Sequence, residues 1–409
     1  MNIVYVHQHF STVRGATGTR SYDFARLLQA RGHRVTVVCG VYGPSDIGGL
    51  PRRGLVTRTE IDGLDVRIVN VRYDNKQGYA AQILSFLLFM VVSTVEVLRI
   101  PRVDVVFATS TPLTVGVPGT LAKYLRRTPF VFEVRDIWPE SAVEAGALTN
   151  PGLIFLSNVA ARRFYRAADR IVVVAHRMAD RVREKLGARA GKVRVIPLGT
   201  DVAMFAGAEP DVAWRRRSGL EEKYVAIYTG AHSRLNGLEW VLRAAAHLKD
   251  DPDIRIVLMG DGVTKPDLLR QAREEGLTNV LFFDPIPKER LAGVLKVCDL
   301  GLMLLVNRPI IETVCPNKFL DYMAAGLPVL VNFRGEVRAI CEREHCGVVV
   351  PPDDPPAMAD AIRRLARDPE RSRAIGRRAA RVAAEQFDRA RLVEDFERVL
   401  EEARHGERG

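Results

Sequence analysis

Glu312-Thr313-Val314-Cys315-Pro316-Asn317-Lys318-Phe319-Leu320-Asp321-Tyr322-Met323-Ala324-Ala325-Gly326-Leu327-Pro328-Val329 carries the architecture in miniature. Pro316 opens a helix that runs to Ala325, because proline tolerates the first helical turn. Gly326 closes it, since glycine takes the left-handed conformation without a Cβ penalty. An apolar run of strand length, Leu327–Val331, follows at once. A helix feeding a buried strand through a tight glycine turn is half of a parallel βαβ unit.

The same alternation extends outward in both directions. Upstream in this half, Tyr224–Thr229, Ile254–Met259, Val280–Phe283 and Leu300–Leu305 read as strands, and Leu238–Leu248 as a helix. Downstream, Pro355 to Arg404 is almost wholly helical with polar faces. In the first half, Ile3–Val6, Arg34–Cys39, Val103–Ala108, Phe130–Val134, Arg170–Ala175 and Lys192–Ile196 read as strands. Helices over Thr19–Ala30, Thr114–Leu125 and Met178–Leu186 lie between them. Pro197-Leu198-Gly199-Thr200-Asp201 breaks the pattern and suits a domain junction. The expected fold is α/β, with two doubly wound domains joined near residue 200. Ligands of such folds sit outside the carboxyl ends of the strands, and facing domains would hold one in the cleft between them.

Bulk properties agree with two packed cores. A chain of 409 residues exceeds what one core holds, and 47% hydrophobic with 27% charged residues is ordinary globular composition. The net charge of +11 reads either as exposed arginine on helix faces or as a preference for an anionic partner. Basic and aromatic residues do not interleave as in single-strand binders, so nucleic acid is not an expected partner. The five cysteines form no CxxC pair, and Cys341, His345 and Cys346 lack a fourth ligand at zinc spacing, so no metal is expected. A reducing, cytoplasmic setting fits. Met1 leads directly into the first strand, without the basic stretch of a signal peptide. Ala80–Val97 carries one charge, Glu96, and is borderline for a span. It reads as a buried helix or as one that also touches a membrane surface.

Several residues suit chemistry. The loop Ser11–Arg20 is rich in small residues and opens a helix. Gly15 and Gly18 there allow close backbone approach to an anion, and Arg20 is a further candidate. Asp136, just after the Phe130–Val134 strand, reads either as a group orienting an acceptor hydroxyl or as a helix cap. The helix start at Asn317 offers free N–H groups to a diphosphate. Lys318 places a cation in the first turn, where the dipole disfavours it unless an anion binds. Asp321, three residues on, shares its face. The two read as holding diphosphate and ribose, or as a surface ion pair.

Across these segments the chain resembles the family 4 (group 1) glycosyltransferases. Gly32-His33-Arg34-Val35-Thr36-Val37, Val195-Ile196-Pro197-Leu198-Gly199-Thr200-Asp201, Gly260-Asp261-Gly262, Phe283-Asp284-Pro285-Ile286-Pro287 and Ala324-Ala325-Gly326-Leu327-Pro328-Val329 follow that family's order along nearly the whole chain. Asp136-Ile137-Trp138-Pro139-Glu140 and the apolar Ala80–Val97 helix are similar to a bacterial subgroup resembling fucosamine transferases of O-antigen, capsule or exopolysaccharide synthesis. The resemblance implies a GT-B fold, with an acceptor-side domain over 1–199 and a nucleotide-sugar domain over 200–386. It also implies a last helix, 387–409, returning to the first domain. A retaining hexosyl or N-acetylaminosugar transfer is implied, from a nucleotide-sugar, UDP-linked by preference, to a polyprenyl-diphosphate-linked or saccharide acceptor. No cofactor is implied, and the enzyme would lie peripherally on the inner face of the cytoplasmic membrane.

On this resemblance Gly260, Ile286, Glu312, Asn317, Lys318 and Asp321 contact the donor, with Ile286 near the base and Asp321 at the ribose. Gly15, Gly18 and Arg20 approach it from the first domain. Asp136, Lys318 and Arg234 carry the transfer. The chain departs from the family in Gly230-Ala231-His232-Ser233-Arg234-Leu235-Asn236-Gly237. Asn236 stands where the family has lysine, and Arg234 is displaced. The first acidic position of the paired motif falls near Glu312 or Thr313. A nucleotide-sugar epimerase and a degenerate membrane scaffold are the alternatives these departures leave open.

Overall fold

A computed structural model describes residues 1–406 except Ala16, Asn75, Lys76 and Ala145. The chain forms two compact units: Met1–Pro197 with Arg389–Gly409, and Leu198–Asp388.

The first unit is built on an eight-stranded sheet. Its strands are β1 (Asn2–His7), β2 (Arg34–Tyr42), β3 (Val56–Ile61), β4 (Leu64–Tyr73), β5 (Val105–Thr109), β6 (Phe130–Val134), β7 (Arg170–Val173) and β8 (Val193–Val195). They lie in the order β3-β4-β2-β1-β5-β6-β7-β8. All neighbours pair in parallel except β3 and β4, an antiparallel hairpin. That hairpin is absent from the strands read off apolar runs, because β3 alternates partly buried and exposed residues. Its turn is Asp62-Gly63, both at positive φ, the dipeptide that two-residue hairpin turns select.

Strand order reverses between β1 and β5, so the switch point lies at the carboxyl ends of those two strands. The final helix, Arg389–His405, belongs to this unit. Its Phe396 is fully buried, 4.8 Å from the Phe24 ring and 4.7 Å from that of Phe107. Burying such a side chain contributes about 2–3 kcal/mol, and Arg389 anchors the helix start through Thr19 and Asp23.

The second unit holds six parallel strands: β9 (Tyr224–Thr229), β10 (Ile254–Met259), β11 (Val280–Phe283), β12 (Leu300–Met303), β13 (Val329–Val331) and β14 (Gly347–Val349). Their order is β11-β10-β9-β12-β13-β14, which puts the switch point between β9 and β12.

The helix Tyr79–Arg99 buries a mixed face and exposes an apolar one. Ser85, Ser93, Thr94 and Glu96 are buried together with Phe89 and Val97, whereas Leu84, Leu87, Leu88, Val91 and Val95 are 42–56% exposed. Spacings of three and four put the exposed five on one stripe. The inward polar groups are satisfied locally: Ser85 Oγ donates to the Arg72 carbonyl at 2.8 Å, and Arg58 and Arg67 hold Glu96 at 2.9 and 2.7 Å. A buried face that is largely polar apart from Phe89 and Val97, and an exposed apolar stripe, differ from a core helix, which faces its apolar residues inward.

Candidate functional site

In the second unit, the loops leaving β9 and β10 meet the start of the Asn317–Ala324 helix beside the switch point. Glycines make this possible. A Cβ at Gly260 would lie 1.9 Å from the Gly230 carbonyl, and one at Gly262 2.3 Å from that of His232. Only glycine lets these two loops approach so closely. The helix is held onto β9 by Tyr322, whose hydroxyl accepts from the Thr229 amide at 2.7 Å.

Lys318 reaches from the first turn of this helix back to β9. Its Nζ donates to the Tyr228 hydroxyl at 2.7 Å and to Asn236 Oδ1 at 3.1 Å. It also lies 4.1 Å from the centre of the Tyr228 ring, a cation–π contact. Asn236 is fixed for this role, since its Nδ2 donates to the Ala231 carbonyl at 2.9 Å and to Ser233 Oγ at 2.7 Å. Burial pushes the Lys318 ammonium down to about 7. Asn317 Oδ1, beside it, is buried without a partner. Arg234 is exposed in the turn that carries Asn236, and among the described residues its side chain has no hydrogen bond or ion pair.

The surface ion pair between Lys318 and Asp321, the alternative reading of their spacing, is not formed. Asp321 is buried and turned elsewhere, accepting from Thr200 Oγ1 at 2.7 Å and pairing with Lys288 at 3.0 Å. Residues three apart share a helix face, but partners contributed by other segments decide where each side chain goes. Ile286 is partly buried in the loop after β11. Glu312 lies in the turn Pro309–Thr313, and its backbone is packed so closely on Gly335 that a Cβ there would come 2.3 Å from the Glu312 Cα.

Composition did not single out three nearby residues. Tyr228 supplies the ring and hydroxyl that seat Lys318. Lys265 ties the strand ends together, donating to the Gly260 carbonyl at 2.8 Å and to Asp284 at 2.7 Å. His232 is fully buried with neither ring nitrogen hydrogen-bonded, and burial together with Lys265 lowers it to about 4, so the ring is neutral. The glycines at 230, 260 and 262 are the sequence signal that draws attention to this corner.

In the first unit, the carboxyl ends of β1, β5 and β6 gather His7, Thr111, Arg135 and Asp136. Asp136 is partly buried and accepts from Thr111 Oγ1 at 2.5 Å; that bond, rather than the amides of the next helix, holds its carboxylate. Arg135 Nη1 donates to His7 Nε2 at 3.3 Å, which leaves the proton on Nδ1 to face Ser21 Oγ at 2.9 Å. Burial, then Arg135, keeps His7 well below its ordinary value and thus neutral.

Arg20 is not a surface group of its loop. It is wholly buried, and its Nε and Nη2 donate to Glu133 Oε1 at 2.9 and 2.8 Å. Gly15 is buried against Ser11 and Asp46, whose carboxylate accepts from Thr12 N at 2.9 Å and Thr12 Oγ1 at 2.6 Å. Gly18 is partly buried in the same loop, and Ala16 lies outside the described residues.

Two family models match. Residues 15–199 fit the description "Glycosyl transferase 4-like domain", and residues 223–368 fit "Glycosyl transferases group 1". The chain is 27% identical to "Probable glycosyltransferase WbjE" of Pseudomonas aeruginosa, over 69% of this chain and 70% of that protein. It is 28% identical to WcaI of Escherichia coli, named for colanic acid biosynthesis, over 48% of this chain and 49% of that one. The crystal structure of Anabaena HepE in complex with UDP-glucose superposes with a TM-score of 0.72 at 17% identity, covering 98% of this chain and 99% of that one. At that identity the likeness speaks for the fold.

Proposed function

The chain belongs to the group 1, 4-like glycosyltransferases of GT-B fold, and from that premise we propose that it transfers a hexosyl or N-acetylaminosugar unit from a UDP-linked donor, with retention at the anomeric carbon. One observation carries the donor assignment. Lys318 stands at the carboxyl end of β9 among neutral partners, in the first turn of its helix and against Asn236, whose turn also carries the exposed Arg234. A diphosphate is the ligand whose charge such a corner complements. HepE, a protein of like fold, binds UDP-glucose. Lys318, Arg234 and the amides around Asn317 would neutralise the leaving diphosphate, so the reaction is proposed to run without a metal or other cofactor. Asp136 would orient the acceptor hydroxyl, whose proton passes to the departing diphosphate.

Thermal unfolding with millimolar UDP, GDP or NAD, without added metal, tests the donor class. UDP is expected to raise the transition because it binds only the folded state. A shift with GDP alone would reassign the base, and no shift with any of the three would favour a non-catalytic scaffold.

The acceptor is proposed to be a polyprenyl-diphosphate-linked saccharide of cell-surface polysaccharide synthesis, met at the inner face of the cytoplasmic membrane. WcaI, a relative over about half of the chain, is named for such a pathway. The outward apolar stripe of Tyr79–Arg99 supports membrane contact, and Phe155 and Leu156, 71% and 61% exposed at the start of the Pro151–Ala167 helix, are a second pair of outward apolar side chains. Further along that helix Arg162, Arg163 and Arg166 are exposed, as suits anionic headgroups. Leu87→Asp with Leu88→Asp is expected to abolish sedimentation with vesicles of anionic phospholipid and leave unfolding unchanged, because both side chains already face solvent. Undiminished sedimentation would remove the stripe from the membrane assignment.

A further inference from the structure

We infer that Lys318 takes up a proton from solvent when the diphosphate of a nucleotide-sugar binds, so that the donor itself completes the cation that later meets the leaving group. This rests on the donor reading above and adds a property that the reading does not require.

The geometry is that of a cation site with its counter-charge missing. Among the described residues, the partners of the Lys318 ammonium are neutral: a phenol oxygen at 2.7 Å, an amide oxygen at 3.1 Å and the face of the Tyr228 ring. No acid reaches it from the elements packed on its helix. β12, β13 and the Val202–Gly207 helix contain no titratable side chain. The Pro369–Gln386 helix packs through Ser372, Gly376 and Ala379 and turns its charged residues to solvent. On its own helix, Asp321 is engaged by Thr200 and Lys288.

Around the ends of β9 and β10, Tyr228 and His232 titrate far from neutrality, the first raised and the second lowered by burial. Arg234 and Lys265 carry the same sign as Lys318. Asp261 is the acid of these loops; it acts on His232, and the shift of Lys318 owes nothing to it. Lys318 is therefore lowered by burial alone, to about 7, and is only partly charged in the free protein near neutral pH. A diphosphate beside it favours the ammonium and raises it again. Binding and protonation are then linked, and donor affinity weakens by up to about tenfold per pH unit above neutrality.

Isothermal titration calorimetry of the full chain with UDP-glucose and with GDP-mannose tests this. Their diphosphate diesters titrate nothing near neutrality, so any proton taken up belongs to the protein. At pH 7 the heat of binding is expected to differ between PIPES and Tris by the equivalent of about half a proton absorbed, rising towards one at pH 8. Lys318→Arg, charged throughout this range, should still bind the sugar nucleotide and lose the buffer dependence. Equal heats in both buffers, with binding intact, overturn the inference and leave the donor reading standing. Buffer dependence that persists in Lys318→Arg assigns the proton to another group and also overturns it. Binding of neither nucleotide overturns the donor reading, and the proton uptake with it.

Discussion

Replacing Lys318 by methionine is expected to lower turnover about 10²–10³-fold while leaving the folded protein at least as stable as before. The two halves of this prediction have one cause. In the proposed reaction the ammonium meets negative charge that grows on the diphosphate as the glycosidic bond breaks, so its removal is felt most in the transition state. In the free protein the same ammonium is set among neutral groups, and burial pushes it down to about 7. Methionine fills the space without that penalty, and a gain of about 1 kcal/mol corresponds to about 2–4 °C in a unit of this size.

The pH dependence has a definite sign. The unfolded chain holds its lysine proton up to its ordinary value, whereas the folded protein gives it up near 7. Stability of the wild type therefore rises with pH between those two values, as the charged form ceases to be required. The advantage of Lys318→Met should be fullest below pH 7 and fade as pH climbs towards 10. Circular dichroism melts at pH 6 and 9, read beside steady-state kinetics, check both halves. A variant that melts many degrees lower, or that turns over normally, removes Lys318 from the proposed chemistry.

How this corner is written in the sequence explains which parts of it can be read there. The strand ending at Thr229, the glycines at 230, 260 and 262, and the helix start at Asn317 are local signals, and each lies where its spacing puts it. The partner of Lys318 is not local. Asn236 and Tyr228 lie 82 and 90 residues away, and only the parallel order β9-β12-β13 brings them to the helix. Spacing alone pairs Lys318 with Asp321, and the fold instead commits Asp321 to Thr200, 121 residues distant. The Tyr79–Arg99 helix is a different case. Its composition shows an apolar segment, but only the packed structure shows that Ser85, Ser93 and Glu96 face in while the leucines face out. Periodicity finds a stripe, and the identity of the stripe that meets the core depends on what the core offers.

Arg20 shows the same limit with the opposite outcome, and it gives the largest expected effect on stability. Read along the chain, it is a cation at the end of a glycine-containing loop and a candidate to meet a donor phosphate. In the fold its guanidinium is fully occupied by Glu133, the backbone carbonyls of Pro197 and Ile196, and the Phe24 ring 4.4 Å away. Glu133 is itself wholly buried, with Thr109 donating to its other oxygen at 2.6 Å. Burial pushes this carboxyl up, but Arg20, Arg135 and the hydrogen bonds outweigh it and hold Glu133 below its ordinary value.

Arg20→Met takes away the nearest cation and leaves Glu133 with Arg135, 3.6 Å away, and the Thr109 hydroxyl; it should cost about 3–5 kcal/mol, measured by urea unfolding at pH 7. The pH profile should flatten as well. In the wild type this pair stabilises above the ordinary carboxylate range, and its contribution is lost as pH falls through the lowered value. In Arg20→Met the carboxyl keeps Arg135 but rises from its wild-type value, so less stability is present above the carboxylate range and less is lost as pH falls. Adding Glu133→Gln removes the under-compensated charge and should recover part of the loss, whereas a purely steric defect at residue 20 would not respond. UDP affinity of the folded Arg20→Met protein should stay within about twofold of wild type, since Arg20 has no free donor to offer a phosphate. A variant of near-normal stability that binds UDP tenfold more weakly would return Arg20 to the donor site.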